Sequence, residues 1–319
     1  MSSARTGWFV RPYCGVCMLR TAYDVLCLAT GHPDGDLRGD EPAREAQMEA
    51  VRRFFHVLQD FGPRCYPVLL ASELLRIIRE VTGNDDPFAD AKRLSNEVAL
   101  RVLPPVRRLV NSAGSPKERF KAAIMASIAG NNIDFVTGGH DFEVTEENVL
   151  AEVKRTLRVG LHVDHIDDLW SSIRGVGEVA LLHDNAGELA FDTLVVEQLV
   201  ALGVDVTCVV KGGPVANDAT VEDARQVGLA EKVPVVTTGS DDLGFNLDRA
   251  GRDFLGLISR RPVLLAKGQS NLESFVAFRA HEKMPKGVPA FVALKLKCAP
   301  NAWVARGKVG NNAVVRFPL

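Results

Sequence analysis

Apolar positions recur at helical spacing through the first half of the chain. Residues 41 to 61 place Met48, Val51, Phe54, Phe55 and Leu58 along one side of a helix that Gly62-Pro63 closes, and residues 68 to 81 repeat the pattern with Leu69, Leu70, Leu74, Leu75 and Ile78. The same spacing holds over residues 94 to 110, interrupted by Pro104-Pro105, and over residues 120 to 128 and 146 to 157. Together they predict a helical N-terminal domain over residues 1 to 155. Gly130-Asn131-Asn132-Ile133-Asp134 reads as a loop that ends one of these helices.

From about residue 156 the pattern changes to short apolar runs separated by glycine-containing turns. Strands are expected at 179 to 183, 204 to 210, 233 to 237, 262 to 266 and 289 to 295, with helices at 188 to 202, 219 to 228, 247 to 259 and 271 to 280. This alternation predicts α/β architecture: residues 156 to 319 as a three-layer α/β/α, Rossmann-like domain with a largely parallel sheet. Two strands end in a similar way, in His183-Asp184-Asn185 and in Lys211-Gly212-Gly213-Pro214-Val215-Ala216-Asn217-Asp218. Strand-end crevices of such sheets are where ligands usually bind.

Composition narrows the range of partners. The 319 residues are 46% hydrophobic, enough for a sizeable core, and the formal net charge of −2 lacks the basic excess of a general nucleic-acid or membrane-surface binder. The first fifteen residues have no signal-peptide core, and no apolar run approaches the roughly 18 residues of a membrane span. A cytoplasmic protein with a small ligand is expected; its oligomeric state has no signature here.

Oxygen donors at the strand ends carry the candidate chemistry. Asp184, Asn185 and Asp218 offer two carboxylates and an amide carbonyl, a set suited to Mg²⁺ or Mn²⁺ rather than Zn²⁺. Taken singly, Asp184 and Asp218 are equally readable as helix caps, with Asn217 or Asp218 starting the helix that follows. Lys267-Gly268, after another apolar run, is a candidate phosphate cradle. Three further features are weaker. Gly175-Val176-Gly177 precedes a strand instead of following one, so it is no dinucleotide fingerprint; His162 and His165 belong to a charged helix start; His140 reads as exposed. Of Cys14, Cys17, Cys27, Cys65, Cys208 and Cys298, only Cys14-x-x-Cys17 has suggestive spacing. No second pair completes a zinc site and no βαβ unit precedes it, so a packing role is expected.

The separate segments Cys14-Gly-Val-Cys17, Ala129-Gly-Asn-Asn-Ile-Asp-Phe135, Asp184-Asn-Ala-Gly-Glu188, Asn217-Asp-Ala-Thr-Val-Glu-Asp-Ala224, Gly239-Ser240 and Lys267-Gly-Gln-Ser-Asn-Leu-Glu273 resemble, in order, the metal-dependent damage-control phosphatase family, formerly domain of unknown function 89. Ser270 stands where that pattern has glycine. The resemblance implies a divalent metal on Asp184, Asn185 and Asp218, with Co²⁺ or Ni²⁺ as further options, and Lys267 facing the phosphate of a small phosphorylated metabolite such as a sugar phosphate, a phosphopantetheine-like compound or a nucleotide-like one. Glu188, one turn from Asp184, would orient water or accept a proton; Asn132, Asp134, Ser240 and Gly268 would line the substrate site. Ala186 stands two residues after Asp184, where a nucleophilic aspartate would need a general acid, so metal-activated water is the expected attacker. The alternatives are a methyl- or nucleotidyl-transferase using the same crevice and a non-enzymatic metal or metabolite binder.

Overall fold

The computed structural model describes residues 10–63, 65–132, 145–280 and 283–319, with the main chain alone at 131 and 132. Six helices come first: α1 (Pro12–Ala29), α2 (Glu41–Leu58), α3 (Pro67–Thr82), α4 (Ala89–Asn111), α5 (Pro116–Asn132) and α6 (Glu146–Val159). Their starts have local causes. Asp40 accepts the Ala43 N–H at 3.0 Å to cap α2, and Thr145 accepts the Asn148 N–H at 3.2 Å to cap α6. Pro104 and Pro105, expected to interrupt α4, lie inside a continuous helix. The prolines leave the carbonyls of Leu100 and Arg101 without their helical donors, and Arg101 is exposed and Leu100 half-buried, so these groups can turn to water.

The second half alternates as expected, with β1 (Val163–Asp164), α7 (Ile166–Val176), β2 (Glu178–Leu182), α8 (Glu188–Ala201), β3 (Asp205–Val210), α9 (Val221–Gln226), β4 (Val235–Thr237), α10 (Arg252–Ser259), β5 (Val263–Lys267), α11 (Gly268–Ala280), β6 (Ala290–Lys295), α12 (Ala299–Val304) and β7 (Asn312–Phe317). The seven strands form one sheet in the order β1-β7-β6-β5-β2-β3-β4. Every pairing is parallel except β6 with β7. Two strands had no counterpart in the sequence reading: β1 is too short to show a period, and β7 is the antiparallel partner of β6.

Alternating residues of each strand feed opposite faces. Val179 and Leu181 of β2, with Val263 and Leu265 of β5, join a core with α4 to α8, whereas Ala180, Leu182, Leu264 and Ala266 join one with α10, α11 and α12. Helices therefore cover both faces of the sheet. A third cluster links α1, α2 and α3 to Val215. The change of pattern near residue 155 is not a break in the packing, because α4, α5 and α6 share one continuous core with the sheet.

The order in which strands are added to the sheet reverses about β2, which pairs with β3 on one side and with β5 on the other. Such a switch leaves a crevice at the C-terminal ends of the two strands. Asp184 lies just past β2, and Gly268 opens α11 just past β5. Their approach is close enough that a β-carbon on Gly268 (φ +77°) would overlap the Asp184 carboxylate.

Candidate functional site

Asp184, Asn185 and Asp218 meet because main-chain bonds tie two strand ends together. The Ala219 N–H donates to Asp184 O at 2.7 Å, the Ala186 N–H donates to Asn217 O at 2.9 Å, and Asn185 and Asp218 form an isolated antiparallel bridge. Neither aspartate is a helix cap. Gly187 precedes α8, and Thr220, in a reciprocal capping box with Asp223, starts α9 in place of the expected Asn217 or Asp218. Freed from capping, the two carboxylates are 5% and 2% exposed and line a common cavity.

Their electrostatics are those of a site short of positive charge. Burial raises the Asp184 pKa well above the ordinary carboxylate range, and the charges of Asp218 and Glu188 raise it further. Burial likewise raises Asp218, against the lowering effect of Lys211, whose Nζ lies 3.2 Å from Asp218 Oδ2. The same Oδ2 is buried without a well-formed hydrogen bond. Among the described residues no three His, Cys, Asp or Glu side chains are already gathered as metal ligands, so the candidate set remains two carboxylates and an amide.

Behind these oxygens lies a buried polar relay. Glu188 Oε1 accepts from the Asn185 main-chain N–H at 2.9 Å and from Asn185 Nδ2 at 3.0 Å, which turns the amide oxygen away from Glu188. Lys267 donates to Glu188 Oε2 at 2.9 Å and Asp192 Oδ1 at 3.0 Å. Asp192 also accepts from Ser127 Oγ and pairs with His183 Nδ1 at 2.7 Å. Although burial opposes charge on both, Lys267 and Asp192 hold each other ionised: the Lys267 pKa is raised and that of Asp192 lowered. Strand parity explains the direction of Lys267, which continues the side of β5 that carries Val263 and Leu265 and so points at α5 and α8. It is fully buried and is not among the cavity-lining residues.

The cavity, about 350 Å³, has two unlike walls. One is polar, with Asp184, Asn185, Asn217, Asp218, Gln269, Ser270 and Lys297; the other is the apolar side of α1 and α3 with Phe88 and Leu243. Helix α11, expected from residue 271, begins directly at Gly268, so Lys267-Gly268 is the junction of strand and helix, and Gln269 and Ser270 form its first turn. Ser240 sits at the next strand end, its main-chain oxygen accepting from the Gly212 N–H at 2.9 Å and its buried hydroxyl unpartnered, outside the cavity lining. Asn132 belongs to α5, which runs on through the expected loop because Gly130 packs against α8; a β-carbon there would stand 2.7 Å from Glu188 Cβ. The Asn132 side chain and all of Asp134 and His140 lie outside the described residues.

Sequence reasoning missed Lys297, Asp192, Ser127 and Asn96. Lys297 brings a cation to the cavity, and its main-chain N–H donates to Gln269 Oε1 at 2.8 Å. Asn96 of α4 accepts the Gly187 N–H at 2.7 Å and donates to Asp223 at 2.9 Å, buckling both strand-end loops to one helix. No local pattern marks these residues, although Asp192 does stand one turn beyond Glu188 on the same helix face.

Comparison with known proteins finds relatives over most of the chain. Residues 10–312 match the model of the damage-control phosphatase ARMT1-like domain. An uncharacterized protein of Methanocaldococcus jannaschii is 30% identical, over 96% of this chain and 95% of its own. A damage-control phosphatase of Archaeoglobus fulgidus is 32% identical over 83% of this chain and 86% of its own. The crystal structure of a DUF89 family protein from Pyrococcus horikoshii superposes with a TM-score of 0.79 at 27% identity, covering 96% of this chain and 98% of that one.

Proposed function

The chain belongs to the damage-control phosphatase ARMT1-like family, and on that premise we propose that it is a divalent-metal-dependent phosphatase that hydrolyses a small phosphorylated metabolite. The observation that carries this reading is the pair of buried carboxylates, Asp184 and Asp218, facing one cavity beside the N-terminus of α11. Burial raises the pKa of both, and the charge of Asp218 raises Asp184 further, so added positive charge beside them would favour their ionised forms. Their oxygens, with the Asn185 carbonyl, fit Mg²⁺ or Mn²⁺. When bound there, such an ion would neutralise phosphoryl oxygens and acidify water.

The chain's own groups supply the remaining work. The main-chain N–H groups at the start of α11, with Lys297 among the residues lining the same cavity, would offer the phosphate an anion seat. Lys267 acts from behind: it fixes Glu188, and Glu188 fixes the Asn185 amide. Glu188, bonded through Oε1 to Asn185 of the ligand set, would also orient water or take its proton. The apolar wall of α1 and α3 excludes solvent from the organic part of the substrate.

The test is release of inorganic phosphate from a panel of small phosphomonoesters, p-nitrophenyl phosphate and sugar phosphates included, by chelator-treated protein given Mg²⁺, Mn²⁺, Co²⁺ or Ni²⁺ in turn. Turnover restored by at least one ion and abolished in Asp218→Asn is expected. Equal turnover with and without chelator would overturn metal dependence, and no turnover with any ion would overturn the phosphatase reading.

A further inference from the structure

The cysteine pair near the N-terminus has no part in the chemistry above, yet the fold gives it company. Cys14 and Cys17, three residues apart in the first turns of α1, share one side of that helix. Gly15 between them packs on Phe61, whose ring would stand 3.2 Å from a β-carbon there, so this turn lies on the segment that leads to Cys65. Cys65 precedes α3 by two residues. In the first turn of α3, Val68 gives a main-chain hydrogen bond to Glu273 of α11. Glu273 Oε1 also accepts from Asn301 Nδ2 at 3.0 Å, and the same Nδ2 lies 3.2 Å from Cys298 Sγ, at the N-cap of α12. Glu273 is thus the common neighbour that joins the start of α3 to the start of α12.

Four thiols from three distant parts of the chain therefore converge on one corner. Cys14 lies within electrostatic reach of Cys17, Cys65 and Cys298, and Glu273 within reach of Cys17 and Cys298. Asn301 Oδ1 beside them is buried without a partner. Such a corner is rich in groups that can become anions. The other two cysteines, Cys27 and Cys208, are buried elsewhere.

We propose that Cys14, Cys17, Cys65 and Cys298 form a four-thiolate site for one zinc ion, separate from the oxygen site at the strand ends. Soft sulfur ligands select zinc over the hard ions that suit two carboxylates and an amide. The sulfurs do not stand at ligand spacing beforehand, since no three such side chains do so among the described residues. Ion entry turns the thiols inward, with the exposed Cys17 on the first turns of α1 having most freedom to move. Each thiol gives up its proton to solvent as its sulfur binds, so affinity rises with pH. The product is a clip between the N-terminus of α1 and the loop after β6. Further along α1, Met18, Thr21, Ala22 and Val25 line the cavity, and Lys297 adjoins Cys298, so the clip sets the distance between the cavity's two walls.

The experiment uses the full chain, reduced and stripped of metal, titrated with Co²⁺ and then Zn²⁺ in excess Mg²⁺. The expected result is a thiolate-to-cobalt charge-transfer band that saturates at one ion per chain and is displaced by Zn²⁺ but not by Mg²⁺. Cys65→Ser and Cys298→Ser should each weaken zinc by at least about tenfold, with Cys27→Ser and Cys208→Ser as unchanged controls. Counting thiols that react in the native unsubstituted protein needs no variant: zinc should remove the reactivity of these four, and the buried Cys27 and Cys208 should react only on unfolding. Absence of the thiolate band, or zinc binding unchanged in both Cys65→Ser and Cys298→Ser, would overturn the proposal. So would protection that survives zinc removal and vanishes with reductant, because that is a disulfide.

Discussion

Ligand-type side chains gather in two places on this molecule, and the two are built in opposite ways. At the ends of β2 and β3 the oxygens of Asp184, Asn185 and Asp218 are fixed by main-chain hydrogen bonds, flanked by buried lysines and braced by the Glu188–Lys267–Asp192 relay. At the corner of α1, α3, α11 and α12, sulfurs arrive from helix starts and a loop, with Cys17 exposed. A sheet edge delivers side chains in fixed register, so its site is rigid before any ligand comes. A junction of helix ends has no such ladder, and an added ion would do there what hydrogen bonds do at the sheet.

The strongest way to break this contrast is at the oxygen site. Asp184→Asn should lower kcat by on the order of a thousandfold at ordinary Mg²⁺ concentrations, as removal of a preorganised electrostatic group does. High Mn²⁺ or Co²⁺ should restore part of the activity; recovery of none, or an acid-stable phosphoryl group trapped on Asp184, would make that residue a nucleophile. Lys267→Ala should cost about a hundredfold in kcat/KM. It should also lose roughly 3–5 kcal/mol of stability, because Glu188 and Asp192 are left as buried unpaired carboxylates. A denaturant melt showing parent-like stability would mean that the relay does not brace the sheet edge.

At the sulfur corner the effects should be smaller. Glu273 is raised from 4.5 to about 7 by burial, so between those pH values the folded chain holds a proton that the unfolded chain has released. Stability of the metal-free protein should fall as pH rises through that window, and Glu273→Gln should flatten the dependence in thermal melts. The double variant Cys14→Ser, Cys17→Ser should keep its phosphatase turnover within a few-fold of the parent, with any change in KM more than in kcat. A collapse of kcat would tie the corner directly to the chemistry.

Much of the oxygen site was legible in one dimension. Asp184, Asn185 and Lys267 each follow a short apolar run, and a run of that kind ending in polar residues forecasts a strand end. Asp218 comes after a longer excursion, yet the return of the chain through Asn217 pairs it back onto Asn185. The direction of Lys267 was not legible, because whether a strand's last residue faces the cavity or the helices behind it depends on parity and on what those helices carry. Helix boundaries moved for the same kind of reason: α5 continues through Gly130 because that glycine lets α8 come close, a fact of packing that turn-forming residues do not reveal.

By itself, then, the order of residues determined the alternation of elements, the largely parallel sheet and the presence of hard oxygen donors at its edge, since these follow from periods of two and of about 3.6 and from the chemistry of Asp and Asn. Only the tertiary structure decided that Lys267 is locked between two carboxylates, that Lys297 reaches the cavity, and that Cys65 and Cys298 come to the corner of Cys14 and Cys17. Those contacts join residues far apart in sequence, where no local period extends, and they exist because packing helices on both faces of one sheet brings distant helix ends to the same corner.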